Sequence, residues 1–383
     1  MIILNLDING ENEYIYKSNS IVKNMKKIAV IGAGVFGVSV ALELSKNFEV
    51  TIFERAKDIL MGASTNNHLR HHYGYHYPRS AKTALESIMA RESFESEYGK
   101  CVVDGFPAYY GVSKTDSKTT AEDFIKFCDS LKMPYKFEFP SQEIMDSSIM
   151  NLCIKVPEPV YDPDKLREVV WEKLKNSNIE IRLKNEIIGG GIVGKQKKLK
   201  LKSPEGIKEE KFDYVISAIY TNFNNINKWF NFPKKKALYA LMELLELELP
   251  LKEKIGVTLM DGKFSTFLPK GAKNTFLLGH VKESVLKEVV SDDFDSKIME
   301  SENKTSNKDK ILNESIKYYP ILKKAKFIKS IFVTRVVNAN VENTDERPTE
   351  ITEHENGIYS IFGGKVITCV DTAKKLAEMI KEK

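Results

Sequence analysis

One spacing of small and acidic residues carries the clearest chemical signal in the chain. Gly32-Ala-Gly34-Val35-Phe36-Gly37 closes the apolar run KIAVIG and opens the helical stretch GVSVALELSK. Glu54 answers it 20 residues beyond Gly34, at the end of FEVTIFE, with Arg55 next to it. Each position has a task in gripping a dinucleotide. Gly32 permits the tight turn, Gly34 lets a pyrophosphate approach the backbone, and Gly37 lets helix and strand pack closely. The helix amino terminus offers unpaired N–H groups and a partial positive charge, and Glu54 can accept hydrogen bonds from ribose hydroxyls. A bare GxGxxG says little; in this strand–turn–helix–strand setting it predicts a dinucleotide site.

A second chemical cluster follows at once. Four of the six histidines (His68, His71, His72 and His76) fall within nine residues, together with Arg70. Positions 68, 72 and 76 would share one face of a helix and suit zinc. Gly74 and Pro78 interrupt any such helix, and no cysteine or acidic ligand stands nearby, so no metal site is expected. A cofactor-side or catalytic role for at least one histidine is the better reading, with packing as the alternative. Far along the chain, Arg335 and Arg347 offer guanidinium forks suited to a carboxylate, although ion pairing at the surface would explain either. Tyr75, Tyr109, Tyr110 and His280 are weaker pocket candidates, because most of 16 tyrosines serve packing.

The elements that must hold these residues can be read from periodicity. KIAVIG, the helix after it and FEVTIFE form a βαβ unit. A polar stretch over 62–80 leads to a helix over about 81–97. Asp162-Pro163 starts a helix over 164–177, and IEIRL and FDYVISA are strands flanking a Gly189–Gly191 and lysine-rich excursion. From 236 to 281 the runs alternate in the manner of an antiparallel sheet. Helices are expected in the charged region 282–318, with SENKTSNKDK (301–310) as its loop-like part. The strand KFIKSIFVTRVV, the strand GIYSIF and a last helix from about 365 complete the chain; no internal repeat is evident.

The division this predicts is discontinuous. Residues 1–26 form an extension, and 27–100, 151–230 and 341–383 build the cofactor half. Residues 101–150 and 231–340 build an inserted α+β substrate half on an antiparallel sheet. The fold class is α/β with a Rossmann-like cofactor domain.

Bulk properties bound the function. The 383 residues are 42% hydrophobic and 29% charged, enough for a sizeable core in a soluble protein. The net charge of +5 is spread among 53 acidic residues, and the run Lys195–Lys202 reads as a solvated hairpin, so no nucleic-acid partner is expected. Four scattered cysteines suggest a reducing cytoplasm, and no run approaches the roughly 18 apolar residues of a membrane span.

GAGVFGVSVALEL…FEVTIFER, followed by ASTNN and RHHYG, resembles the D-amino-acid-oxidase and glycine/sarcosine-oxidase superfamily of FAD-dependent oxidoreductases. In that family a small-residue segment, here Gly62-Ala-Ser64-Thr65-Asn66-Asn67, wraps the flavin pyrophosphate and ring. Arg70-His71-His72-Tyr73-Gly74 resembles the stretch running along the isoalloxazine. Val160-Tyr161-Asp162-Pro163 resembles the start of the second cofactor-side helix, and Ile188 and Ala218 would lie beside the cofactor. Gly363-Gly364-Lys365-Val366-Ile367 resembles the turn whose N–H groups face the flavin C2 carbonyl, where reduced flavin is negative.

The resemblance implies FAD as cofactor, with His71, Arg70, Arg335 and His72 as catalytic candidates and His71 foremost. Arg335 matches the family's late carboxylate-binding arginine, and Arg347 follows in its Asp-x-x-Pro loop. It also implies oxidation of a small, anionic amine or amino acid by hydride transfer to flavin N5, with oxygen, a quinone or another carrier taking the electrons. A 2-hydroxy-acid or polyol-phosphate dehydrogenase is the alternative, and covalent attachment of the flavin stays open. A flavin-dependent RNA-modifying protein and a non-catalytic dinucleotide binder are the readings from other classes.

Overall fold

The computed structural model describes residues 2–6, 12–16, 25–294, 305–339 and 346–382. Short β-branched runs build its first sheet. Lys27–Ile31 and Glu49–Phe53 are each buried along four of five residues, as strands covered on both faces must be. Across this six-stranded sheet the order is Glu180–Arg182, Glu49–Phe53, Lys27–Ile31, Tyr214–Ser217, Ile358–Gly363 and Thr349–His354. All neighbours are parallel except the last pair. The helix Val35–Leu44 packs against the carboxy-terminal helix Cys369–Lys381, so the two ends of the chain share one apolar core. Asp162 caps the helix Pro163–Lys175 by accepting from the N–H groups of Asp164 and Lys165, with Pro163 at the first turn.

The second sheet is nine-stranded and mostly antiparallel. Its longest pair joins Ala237–Glu248 to Lys326–Asn338, where Ala240 stands opposite Arg335. A separate core of Phe264, Phe267, Phe276, Leu278 and Tyr319 packs on this sheet.

Several expectations are corrected. Met150–Val156 pairs with Ala108–Ser113 in the antiparallel sheet, so the chain returns to the cofactor half after Val156 and not at 151. Val285–Ser291 is a strand paired with Ala237–Met242, where helices were expected. The helix Lys308–Ile316 begins inside the stretch expected to be loop, of which 301–304 lie outside the described residues. In the lysine-rich hairpin Lys197 is buried, its ammonium donating to the Lys195 and Asp213 carbonyls. Of the extension, Ile2–Leu6 and Asn12–Tyr16 pair as antiparallel strands.

Candidate active site

Both sheets line one cavity of about 1050 Å³. At its first end the glycine turn behaves as its sequence requires. Gly32 has φ +97°, and its N–H donates to Phe53 O at 2.8 Å. A Cβ on Gly37 would stand 1.9 Å from Gly32 O, so only glycine fits there. Gly37 is a packing residue and does not line the cavity. Gly34 caps the helix without a side-chain partner, and a Cβ there would meet only Ser64 Oγ at 3.5 Å before entering the cavity.

Glu54 accepts from Ala33 N–H and Ala56 N–H, both at 2.8 Å, one through each oxygen. A carboxylate has about four acceptor positions, which leaves two for a ribose. Ser64 accepts from Val35 N–H at 3.0 Å and so fastens the 62–67 segment to the helix terminus. Asn66 and Asn67 line the cavity while their amides donate back to carbonyls of their own loop. Arg55, Ala218, Gly363, Gly364, Lys365 and Val366 line it as well. Gly363 and Gly364 have φ +72° and +86°, making a tight turn that approaches Phe36. This cradle of backbone N–H groups, open space above Gly34 and one acidic strand end fits a dinucleotide.

Four of the expected cofactor contacts lie elsewhere. Ile188 sits at a register shift of the Glu186–Val193 strand and faces out, so Ile187 lines the cavity in its place. Thr65 donates its hydroxyl to Leu60 O at 2.7 Å, and Ile367 is buried in the core. Gly37, as shown, supports the turn from behind.

The other end is a chamber lined by His68, Arg70, His72, His76, Tyr77, Tyr220, Arg335, Arg347 and Lys365. His280 lines the same cavity further along, and its Nδ1 accepts from the N–H groups of Lys282 and Glu283. Arg70 is committed to structure, because its guanidinium donates to buried Glu158, to Tyr110 and, at 2.7 Å, to Thr258 Oγ1. His71, foremost among the expected catalytic residues, does not line the cavity. Its Nε2 stands 2.9 Å from Glu95 Oε1 and its ring packs on Tyr73 and Phe94. Tyr75 donates to Pro134 O and Tyr109 to Glu138, both outside the cavity.

Burial holds the chamber histidines neutral. It pushes His68 down to about 3, with the Arg70 and Arg335 guanidiniums pushing the same way. His72 and His76 are held well below the ordinary imidazole value by burial and then by Arg70. His68 Nε2, His72 Nδ1 and His76 Nδ1 are buried without a hydrogen-bond partner. From sequence, His68 and His76 enter only as members of the histidine cluster, and Tyr77, Tyr220 and Glu158 carry no site signal. The one usable signal was alternation: Arg70 and His72 share a side, and His71 and Tyr73 take the other.

Comparison with known proteins agrees with this geometry. The family model described as FAD dependent oxidoreductase matches residues 27–330. The FAD-dependent monooxygenase kojA of Aspergillus flavus is 25% identical over 385 residues, covering 93% of this chain and 86% of that protein. Glycine oxidase from Geobacillus kaustophilus shares the fold at a TM-score of 0.71 and 14% identity, over 94% of this chain and 95% of that one. L-amino acid deaminase from Proteus vulgaris does so at 0.68 and 13%, over 96% of both. With a glycine turn, an acidic strand end and a second glycine turn around one cavity, the chain belongs to the D-amino-acid-oxidase and glycine/sarcosine-oxidase superfamily of FAD-dependent oxidoreductases, and its cofactor is FAD.

Proposed function

We propose that the protein oxidises a small anionic molecule at a carbon bearing nitrogen or oxygen, inside the chamber beside Gly363–Lys365. Bound FAD supplies the hydride acceptor. The chain supplies everything else: Gly34, Ser64 and Glu54 hold the cofactor, Arg335 orients a substrate carboxylate, and the Gly363–Lys365 turn stabilises negative charge by its N–H groups. The observation that carries this reading is the shared cavity. Arg335, on a strand of the antiparallel sheet, lines the same space as the glycine turns of the cofactor sheet.

The names of the solved relatives, glycine oxidase and L-amino acid deaminase, support an amino acid as the first substrate class to test. A relative named a monooxygenase supports oxygen among the possible electron acceptors. Four buried, unbridged cysteines support a reducing cytoplasm, and among the described residues no helix is long and apolar enough to cross a membrane. RNA is disfavoured as a substrate because lysines of the hairpin pair with glutamates, Lys198 with Glu209 and Lys208 with Glu205.

The test is anaerobic bleaching of the flavin by a panel of amino and hydroxy acids, repeated with Arg335→Lys and Arg335→Met. The lysine variant should raise the concentration needed for half-maximal bleaching. The methionine variant should cost more, about 3–5 kcal/mol in transition-state binding, because the carboxylate then enters unpaired. Unchanged kinetics in the methionine variant would take Arg335 out of the site.

A further inference from the structure

The pairing of the strand that carries Arg335 fixes what stands beside that residue. Ala240 is opposite Arg335, Met242 opposite Val333, and Leu238 opposite Val337. Directly opposed residues share a face, and alternate residues along a strand return to it. Val333, Val337, Met242 and Leu244 therefore lie on the face that bears Arg335. The other face is accounted for by its own contacts. Glu243 there accepts from the Ser306 hydroxyl at 2.5 Å, from the Asn307 N–H at 2.7 Å and from Ser330. Leu241, Phe332 and Val336 pack on that side with Phe223 and Phe362.

All four apolar residues of the Arg335 face line the cavity, and none of them is charged or donates a hydrogen bond. Met242, Val333 and Val337 are half-buried, while Leu244 is buried. The floor they make ends at Gly279. A Cβ there would stand 2.5 Å from His68 Nε2 and 2.8 Å from Leu244 Cδ2, so His68 takes the space of a side chain and closes the floor. The chamber's other cations belong to the cofactor sheet's turn. Arg347 precedes Pro348, whose carbonyl approaches Gly363, and Lys365 follows Gly364.

The chamber is thus cationic on the side of that turn and at the tip of Arg335, and apolar beneath. Arginine outreaches valine and methionine, so a carboxylate held at its guanidinium leaves a recess over Val333 and Met242. A charged group entering the recess would lose its hydration and find no partner among these side chains. An aliphatic group would gain from burial.

We propose that the substrate is a carboxylate whose α-carbon bears a bulky aliphatic group, of leucine or methionine size, and that Met242 and Val333 set this preference. The inference rests on the reading above, that Arg335 holds a carboxylate, and adds what stands next to it. It is independent of whether nitrogen or oxygen sits on the oxidised carbon.

Simple carboxylates with no amine or hydroxyl to oxidise test it in the holoenzyme. Acetate, isovalerate, isocaproate and succinate are titrated by their perturbation of the flavin absorbance or by their inhibition of bleaching. Affinity should rise about 10²-fold from acetate to isocaproate, near fourfold per buried methylene. Succinate should bind far more weakly than isocaproate. Met242→Ala should weaken isocaproate about tenfold and leave acetate within about twofold. Val333→Phe, which fills the recess, should also penalise isocaproate and spare acetate. A merely structural residue would move both probes together. Bleaching by leucine or its hydroxy analogue should outrun that by glycine or glycolate by a similar factor.

Should either variant lose its flavin, the wild-type series decides alone. A flat series, or succinate as the tightest probe, overturns the apolar recess while leaving Arg335 as a carboxylate site. A steep series with its ratios unchanged in both variants removes Met242 and Val333 from the role. If no carboxylate binds and no amino or hydroxy acid bleaches the flavin, the proposed function fails and this inference falls with it.

Discussion

The two ends of the cavity are made of different material. At the first end the lining comes mainly from residues 32–64, where Glu54 and Ser64 accept from the Ala33 and Val35 N–H groups. At the chamber end the lining is side chains brought from residues 68–77, 220, 335, 347 and 365. The first end is rigid because glycine sterics dictate it. The second is rigid because a buried ion pair, Arg70 with Glu158, pins the segment that carries the histidines. A local device can be read from neighbours in sequence; a device made of long-range contacts needs the fold.

The sharpest way to break this contrast is at Gly37. Gly37→Val should abolish FAD retention and lower thermal stability together, since its Cβ would collide with Gly32 O. Gly34→Val should abolish retention while the apoprotein melts close to wild type, because its side chain enters only the cavity. The FAD-to-protein ratio after desalting and a circular-dichroism melt separate the two. A Gly37→Val protein that keeps FAD would show that the turn is not the anchor.

Next in size is the pin at the chamber end. Glu158→Leu strands the Arg70 guanidinium in the interior and should cost about 3–5 kcal/mol, measured by denaturant unfolding of the holoenzyme. A loss under about 1 kcal/mol would mean that the pair does not hold the segment.

Acid should also act on the chamber first. His68 is lowered from 6.5 to about 3 in the fold, so the unfolded chain binds its proton more readily between those values. The stability from burying it neutral is fully present above pH 6.5 and is lost as pH falls through that window. At about 1.4 kcal/mol per unit this amounts to a few kcal/mol. Thermal melts from pH 8 downward should fall below 6.5, and less steeply in His68→Gln. A melt independent of pH down to 4 would contradict the burial of neutral imidazole.

Glu54→Ala should weaken FAD by about 1–3 kcal/mol in equilibrium titration, the loss of hydrogen bonds to a charged acceptor. Ile188→Ser should change neither FAD affinity nor stability by more than about 0.5 kcal/mol, as an outward-facing residue. A measurable loss of FAD in that variant would return Ile188 to the site.

The sequence alone determined the βαβ unit, the glycine turn and the Glu54 strand end, because each is fixed by backbone sterics or by a hydrogen bond over a short span, whereas the Gly363–Gly364 turn rests on the family resemblance. It also determined that the cofactor half is discontinuous, since hydrophobic alternation in 236–281 cannot continue a parallel sheet. Tertiary structure decided which histidines face the chamber. His71 and His72 are adjacent and chemically identical, and only the clamp of Pro159 and Glu158 sends one to Glu95 and the other to the cavity. It also decided that Arg70 is a structural cation, since its carboxylate partner lies 88 positions away. The register shift that exposes Ile188 and seats Ile187 in the cavity depends on pairing with a second strand. Such choices are set by burial and charge pairing between distant segments, which local spacing does not encode.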